Sequence, residues 1–91
     1  MEIRRKVDEL GRVVIPIDAR KQFDIKKGDK YSVTSKDNYI IFEKNKKEGT
    51  IRTIDELGRI VIPIDERNKL EIKEGDSLRI EADDESITLI K

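Results

Sequence analysis

The feature that most constrains the fold is a stretch of sequence that occurs twice, 47 residues apart. Residues 7–20 are VDELGRVVIPIDAR, and residues 54–67 are IDELGRIVIPIDER. Aligning residues 2–44 with residues 49–91 requires no gap and makes 19 of the 43 pairs identical. A repeated unit often cannot bury its apolar face alone, and units of this size rarely fold without staples. We therefore expect one domain, residues 1–91, made of two intertwined repeats, 1–44 and 49–91, with a linker at 45–48.

The composition excludes several classes of protein. The chain has no cysteine and no histidine, so neither disulfides nor the usual zinc sites are available. Charged residues make up 44% of the chain, but its Ile, Val and Leu residues fall in periodic blocks that disordered segments usually lack. Apolar runs are too short to span a membrane, and the N-terminus has no signal-peptide apolar region. A folded cytoplasmic protein without membrane contact is expected.

The first part of each repeat is predicted to form a β-hairpin. In the first copy, strands at 3–7 and 12–15 flank a turn at 8–11, where an acidic residue and a glycine supply turn chemistry. The continuous β-branched run that follows the turn indicates a strand covered on both faces. We therefore expect these residues to be core in both copies: Val14, Ile15, Val61 and Ile62.

A short helix is predicted after each Ile-Pro-Ile segment. Asp18 is a suitable N-cap for a helix over 19–23, and Asp65 for a helix over 66–70. Arg20 and Arg67 then fall in the first helical turn, where the macrodipole disfavours a cation. This placement hints at an external anion.

The remainder of each repeat alternates between apolar and polar residues with a period of two, which predicts a second hairpin with one wet face. Each repeat therefore has the order strand, strand, helix, strand, strand. Four short strands leave open edges, and interleaving the two copies closes them. The expected fold is mainly β, a small pseudo-two-fold barrel of eight strands with two short helices.

At these residues the chain resembles the AbrB/SpoVT/MazE family of swapped-hairpin domains. The resemblance is carried by VDELGRVVIPI at 7–17 and by the Gly-Asp turns at 28–29 and 75–76, and it covers both repeats. In that family two subunits exchange hairpins to form a dimeric barrel that binds DNA. The resemblance implies that this chain is a fused, monomeric pseudo-dimer whose partner is double-stranded DNA.

The resemblance also implies which residues contact DNA. The family's contact positions match Arg5, Lys6, Arg12, Arg20 and Lys21 in the first copy, and Arg52, Arg59 and Arg67 in the second. Thr53 and Asn68 replace basic residues in the second copy. Residues 1–47 carry 13 basic and 8 acidic side chains, and residues 48–91 carry 7 and 12. Binding by two unequal halves is therefore expected.

Other functions are weighed against DNA binding. No nucleophile stands beside a base and no glycine-rich phosphate loop is present, so we expect no enzyme, no catalytic residue, no metal, no cofactor and no small-molecule substrate. One alternative is a toxin-binding antitoxin of the MazE type. Such proteins wrap the toxin with a C-terminal tail, whereas this sequence ends with its last predicted strand. The other alternative is an engineered or structural single-chain barrel that does not bind DNA.

Overall fold

The two repeats exchange strands in the structure, which is a computed structural model that describes residues 3–91. Each repeat contributes four strands and one helix. In chain order these are β1 (Ile3–Lys6), β2 (Arg12–Val14), α1 (Ile17–Gln22), β3 (Lys30–Lys36), β4 (Tyr39–Glu43), β5 (Thr50–Thr53), β6 (Arg59–Val61), α2 (Ile64–Lys69), β7 (Ser77–Ala82) and β8 (Ser86–Ile90).

Six strands form one sheet in the order β1-β7-β8-β4-β3-β5, and β2 and β6 form a separate two-stranded ribbon. All pairings are antiparallel. The edge strand β1 of the first repeat lies on β7 of the second, and β5 of the second lies on β3 of the first. The ribbon also takes one strand from each repeat. The expected mainly β, swapped-hairpin fold is confirmed.

The predicted second hairpins are confirmed, whereas the predicted first hairpins are wrong in their pairing. β3 pairs with β4 and β7 with β8. β1 and β2 belong to different sheets, although the Asp8 N–H donates to the Arg12 carbonyl at 2.9 Å and closes the turn between them. The residue before the turn, Val7, pairs with the other repeat instead, because its N–H donates to the carbonyl of Asp76. Exchange between repeats replaces local pairing on both sides of the turn.

The core lies between the six-stranded sheet and the ribbon and draws on both repeats. Val13 and Ile60 face each other across the ribbon, and both are buried. Ile15 and Ile62, which occupy equivalent positions in the two repeats, are fully buried, as predicted. Val14 is 40% exposed, so the expectation of a core residue there is wrong. The equivalent residue in β6, Val61, is half-buried. Both valines lie on the outer face, because only one face of the ribbon packs on the core.

The helices begin two residues earlier than predicted. Pro16 and Pro63 are the N-caps, with extended backbone and without a side-chain capping bond. Asp18 and Asp65 lie inside the first turn, where a carboxylate still interacts favourably with the helix dipole. Arg20 lies in the last turn, as does its twin in α2, so the dipole gives no argument for an external anion there. No helix among residues 3–91 is long and apolar enough to cross a membrane.

Candidate nucleic-acid interface

The outer face of the ribbon brings together two arginines, one from each repeat. Arg12 lies opposite Val61, and Arg59 lies opposite Val14. Alternate residues of a strand share a face, so these four side chains lie on the side away from the buried Val13–Ile60 pair. Diagonal neighbours across two such strands are about 7–8 Å apart. The ribbon therefore carries two arginines at neighbouring backbone positions of its outer face, related by the pseudo-two-fold axis.

Each of these arginines is oriented by the aspartate four residues before it. The Asp8 carboxylate accepts hydrogen bonds from the backbone N–H groups of Leu10 and Arg12, at 2.9 and 2.8 Å. It also accepts one from Nε of Arg12, at 2.7 Å. Asp55 repeats the arrangement with Arg59 Nε at 2.6 Å. A guanidinium has five N–H donors, and this ion pair uses one of them.

The hydrogen bonds determine the charge state of the turn. Partial burial acts to raise the pKa of the Asp8 carboxyl, but the hydrogen bonds from Arg12 and Leu10 and the Arg12 charge outweigh it, so its pKa is lowered. The same causes lower the pKa of Asp55. Both carboxylates are therefore ionised at neutral pH. A partly exposed ion pair of this kind contributes little to stability, so its main effect is to orient the arginine.

Arg20 and Arg67 connect the two repeats. Nε of Arg20 donates to the carbonyl of Ile15 at 2.9 Å, and its guanidinium lies directly over Gly58 of the other repeat. A Cβ added at that glycine would lie 2.5 Å from Arg20 Nε. Arg67 covers Gly11 in the same way and donates to the carbonyl of Ile62 at 2.9 Å. The helix of each repeat thus holds the arginine-bearing turn of the other.

Sequence reasoning missed this contact. The repeated spacing indicated only that the glycine of each turn supplies turn chemistry. Gly11 and Gly58 do have positive φ values, 79° and 77°. Both glycines are also buried beneath an arginine. The available signal was that the glycine and the helical arginine both recur in the two copies, but it does not reveal that they meet across repeats.

The remaining predicted contact residues lie on the strands that contact the ribbon and on the first helix. Arg5 and Lys6 are exposed on β1, which contacts β2. Arg52 is half-buried on β5, which contacts β6. Arg5 and Arg52 each donate through Nη1 to the carbonyl of the preceding residue, at 2.8 and 2.9 Å. Lys21 is exposed on α1. The basic residues therefore lie on the ribbon, on the strands beside it and on the helices that hold its turns.

Large apolar side chains are exposed around the same ribbon, which the sequence pattern did not indicate. Leu10 and Leu57 at the turns are 60% and 59% exposed, and Ile17 and Ile64 at the helix starts are 56% and 61% exposed. The Ile62 N–H donates to the Gly11 carbonyl at 2.8 Å, which places each turn against the helix start of the other repeat. The face is thus a mixture of arginine and aliphatic side chains. Among residues 3–91, no group of three or more acidic side chains is arranged to hold a metal ion.

Comparison with known proteins identifies the family. The family model described as "Antidote-toxin recognition MazE, bacterial antitoxin" matches residues 4–49 and again residues 51–91. The chain belongs to the MazE antitoxin family. The two matched segments agree with the duplication seen in the sequence, and the resemblance inferred from the VDELGRVVIPI block is confirmed.

Two further proteins are similar to this MazE-family chain. The transition state regulatory protein AbrB of Bacillus subtilis is 54% identical over 44 residues, which cover 48% of this chain and 46% of AbrB. The match thus spans less than half the length of that relative. The solution structure of PHS018 from Pyrococcus horikoshii superposes with a TM-score of 0.61 at 24% identity, covering 98% of this chain and 87% of that one. This likeness supports the fold.

Proposed function

We propose that this protein binds double-stranded DNA as a transcriptional regulator, with the outer face of the ribbon at the centre of the contact. The observation that carries the proposal is the pair Arg12 and Arg59, each held by an aspartate on one outward face. A two-stranded ribbon fits the major groove of B-DNA, and arginine is the usual partner of guanine edges and phosphates. AbrB, which is 54% identical to this chain over 44 residues, is named as a regulatory protein.

The other basic residues extend this proposed contact. Arg5 and Lys6 add cations on β1, beside the first ribbon strand, and Arg52 adds one on β5, beside the second. Lys21 adds another on α1. Arg20 and Arg67 have a structural contact with the opposite turn, and we propose that their unused N–H donors also approach the DNA backbone. The second half has two fewer cations at the predicted contact positions, because Thr53 and Asn68 stand where the first half has Lys6 and Lys21. Arg12→Ala should therefore weaken binding more than Arg59→Ala.

Fluorescence anisotropy with a labelled AT-rich duplex tests the proposal. If about six phosphates are neutralised, log K should fall with log salt at a slope near −5. The double variant Arg12→Ala/Arg59→Ala should bind at least tenfold more weakly and with a shallower slope, because each lost phosphate contact removes about 0.9 from it. Its thermal midpoint should stay near that of the parent chain, since partly exposed ion pairs of this kind contribute little.

Arg79→Ala is the matched control. Arg79 lies on β7 of the six-stranded sheet, where it forms an ion pair with Glu81 at 3.6 Å. Its removal changes the net charge without touching the ribbon, so the affinity should change by less than about twofold. Equal losses in the control and in an arginine variant of the ribbon would refute the proposed site. Absence of binding to any duplex at about 50 mM salt would refute the function.

Toxin binding is the second candidate function, because the family is described by toxin recognition. Exposed Leu10, Leu57, Ile17 and Ile64 suit a protein partner. The paired arginines on a symmetric ribbon favour DNA as the ligand of that face. A chain with no affinity for duplex DNA would leave toxin binding as the better proposal.

A further inference from the structure

The outer face of the ribbon carries two valines as well as two arginines. Val14 is 40% exposed, and Val61 is half-buried. Each lies directly opposite an arginine of the other strand. The four side chains therefore form a small rectangle in which arginine and valine alternate at the corners, related by the pseudo-two-fold axis.

The valines are not required to complete the core. Val13 and Ile60 on the inner face are 1% exposed and close that side of the ribbon. An exposed position in a strand accepts threonine as readily as valine, because both are β-branched. Valine nevertheless occupies this position in both repeats, although the repeats differ at 24 of the 43 aligned positions.

The chemistry of the face points to one ligand group. The two arginines attract a polyanion and suit the major groove, where the C5-methyl of thymine is the apolar group that a side chain meets. We propose that Val14 and Val61 contact thymine methyl groups and make the protein prefer thymine beside the arginine contacts. This inference rests on the proposed DNA binding.

The spacing of the valines sets the spacing of the thymines. Val14 and Val61 are diagonal neighbours across the ribbon, which separates them by about 7–8 Å. Base pairs are about 3.4 Å apart along B-DNA, so the two contacted thymines lie about two base pairs apart. The pseudo-two-fold axis places them on opposite strands at the centre of the site.

Replacing thymine by deoxyuridine isolates the methyl group. Two duplexes of about 30 base pairs are compared by anisotropy. One repeats the sequence dT-dT-dA-dA, which places thymines of opposite strands two base pairs apart, and the other has every dT replaced by dU. They carry the same charge and the same hydrogen-bonding groups. The parent chain should bind the dT duplex more tightly by roughly fourfold for each contacted methyl, the factor given by burying one such group. With both valines in contact the preference is about 15-fold.

Two variants assign the preference to the valines. Val14→Ala/Val61→Ala should bind both duplexes equally and close to the affinity of the parent chain for the dU duplex. Ile51→Ala is the matched control, because Ile51 is 36% exposed on β5 of the other sheet. It should retain the full preference for dT. Thermal midpoints measured in parallel establish that both variants are folded.

The outcomes distinguish a failure of the methyl contact from a failure of DNA binding itself. Equal binding of the parent chain to both duplexes would overturn the methyl contact and leave DNA binding intact. A preference for dT that survives in Val14→Ala/Val61→Ala would also overturn it, since the methyl would then be recognised by other residues. Absence of binding to either duplex at about 50 mM salt would instead overturn the proposed function.

Discussion

Gly58→Ala should destabilise the protein through two separable effects. The first is backbone strain, because Gly58 has φ of 77° and a left-handed conformation costs a residue with a Cβ about 1–2 kcal/mol. The second is displacement of Arg20, whose guanidinium occupies the space of the new methyl. Moving it breaks the 2.9 Å bond to the Ile15 carbonyl, worth about 0.5–1.5 kcal/mol. The expected loss in the free energy of unfolding is therefore about 1.5–3.5 kcal/mol.

Gly75→Ala supplies a control that contains only the strain. Gly75 has φ of 87°, and among the described residues no atom lies within 4 Å of a Cβ added there. Its loss should be about 1–2 kcal/mol, and urea denaturation followed by circular dichroism measures both variants. In an Arg20→Ala background, Gly58→Ala should cost no more than Gly75→Ala does. Equal losses in the parent chain, with no coupling to Arg20→Ala, would refute the idea that this arginine holds the turn.

Three other measurements test the fold and the turns. Ile62→Ala should lower the free energy of unfolding by about 2–5 kcal/mol, whereas Val14→Ala should cost less than about 1 kcal/mol because Val14 lies on the outer face; similar urea midpoints would contradict this. The thermal midpoint should not change over a hundredfold dilution, because docking of the repeats is intramolecular; a concentration-dependent midpoint would show exchange between chains. The pKa values of Asp8 and Asp55 are lower in the folded state than their ordinary value of 3.8. The ionised carboxylates therefore stabilise the fold when the pH is above 3.8, and this contribution is lost as the pH falls through the folded-state pKa values. Asp8→Asn/Asp55→Asn should therefore show a smaller loss of stability between pH 5 and pH 2 in acid titrations, and an unchanged loss would contradict the assignment.

Local patterns in the sequence were sufficient to predict most of the strands. Apolar and polar residues alternate along β7 and β8, and the buried side chains Leu78, Ile80 and Ile87 follow that alternation. The number of elements, their order in each repeat and the interleaving of the copies were also predictable. A chain of this size with a duplicated unit has few other ways to cover strand edges and apolar faces.

The features that sequence reasoning missed depend on contacts between distant residues. The partner of β1 is β7 rather than the adjacent β2, and no turn signal distinguishes these two possibilities. Val14 belongs to an unbroken β-branched run, so its exposure depends on the ribbon having one solvent-facing side. The contact of Arg20 with Gly58 needs the relative position of two repeats. Periodicity predicts which residues of a strand or helix are buried, but not which other part of the chain covers them.

The exchange of strands has a consequence for a chain that has been cut. The linker between β4 and β5 is exposed at 45–49, and a protease could cleave it there. After cleavage, β5 of the carboxy-terminal fragment would still pair with β3 of the amino-terminal fragment. Likewise, β1 of the amino-terminal fragment would still pair with β7 of the carboxy-terminal fragment. The two pieces would also share the β2–β6 ribbon. A nicked molecule should therefore stay associated as a noncovalent pair, and two separately expressed fragments should complement each other.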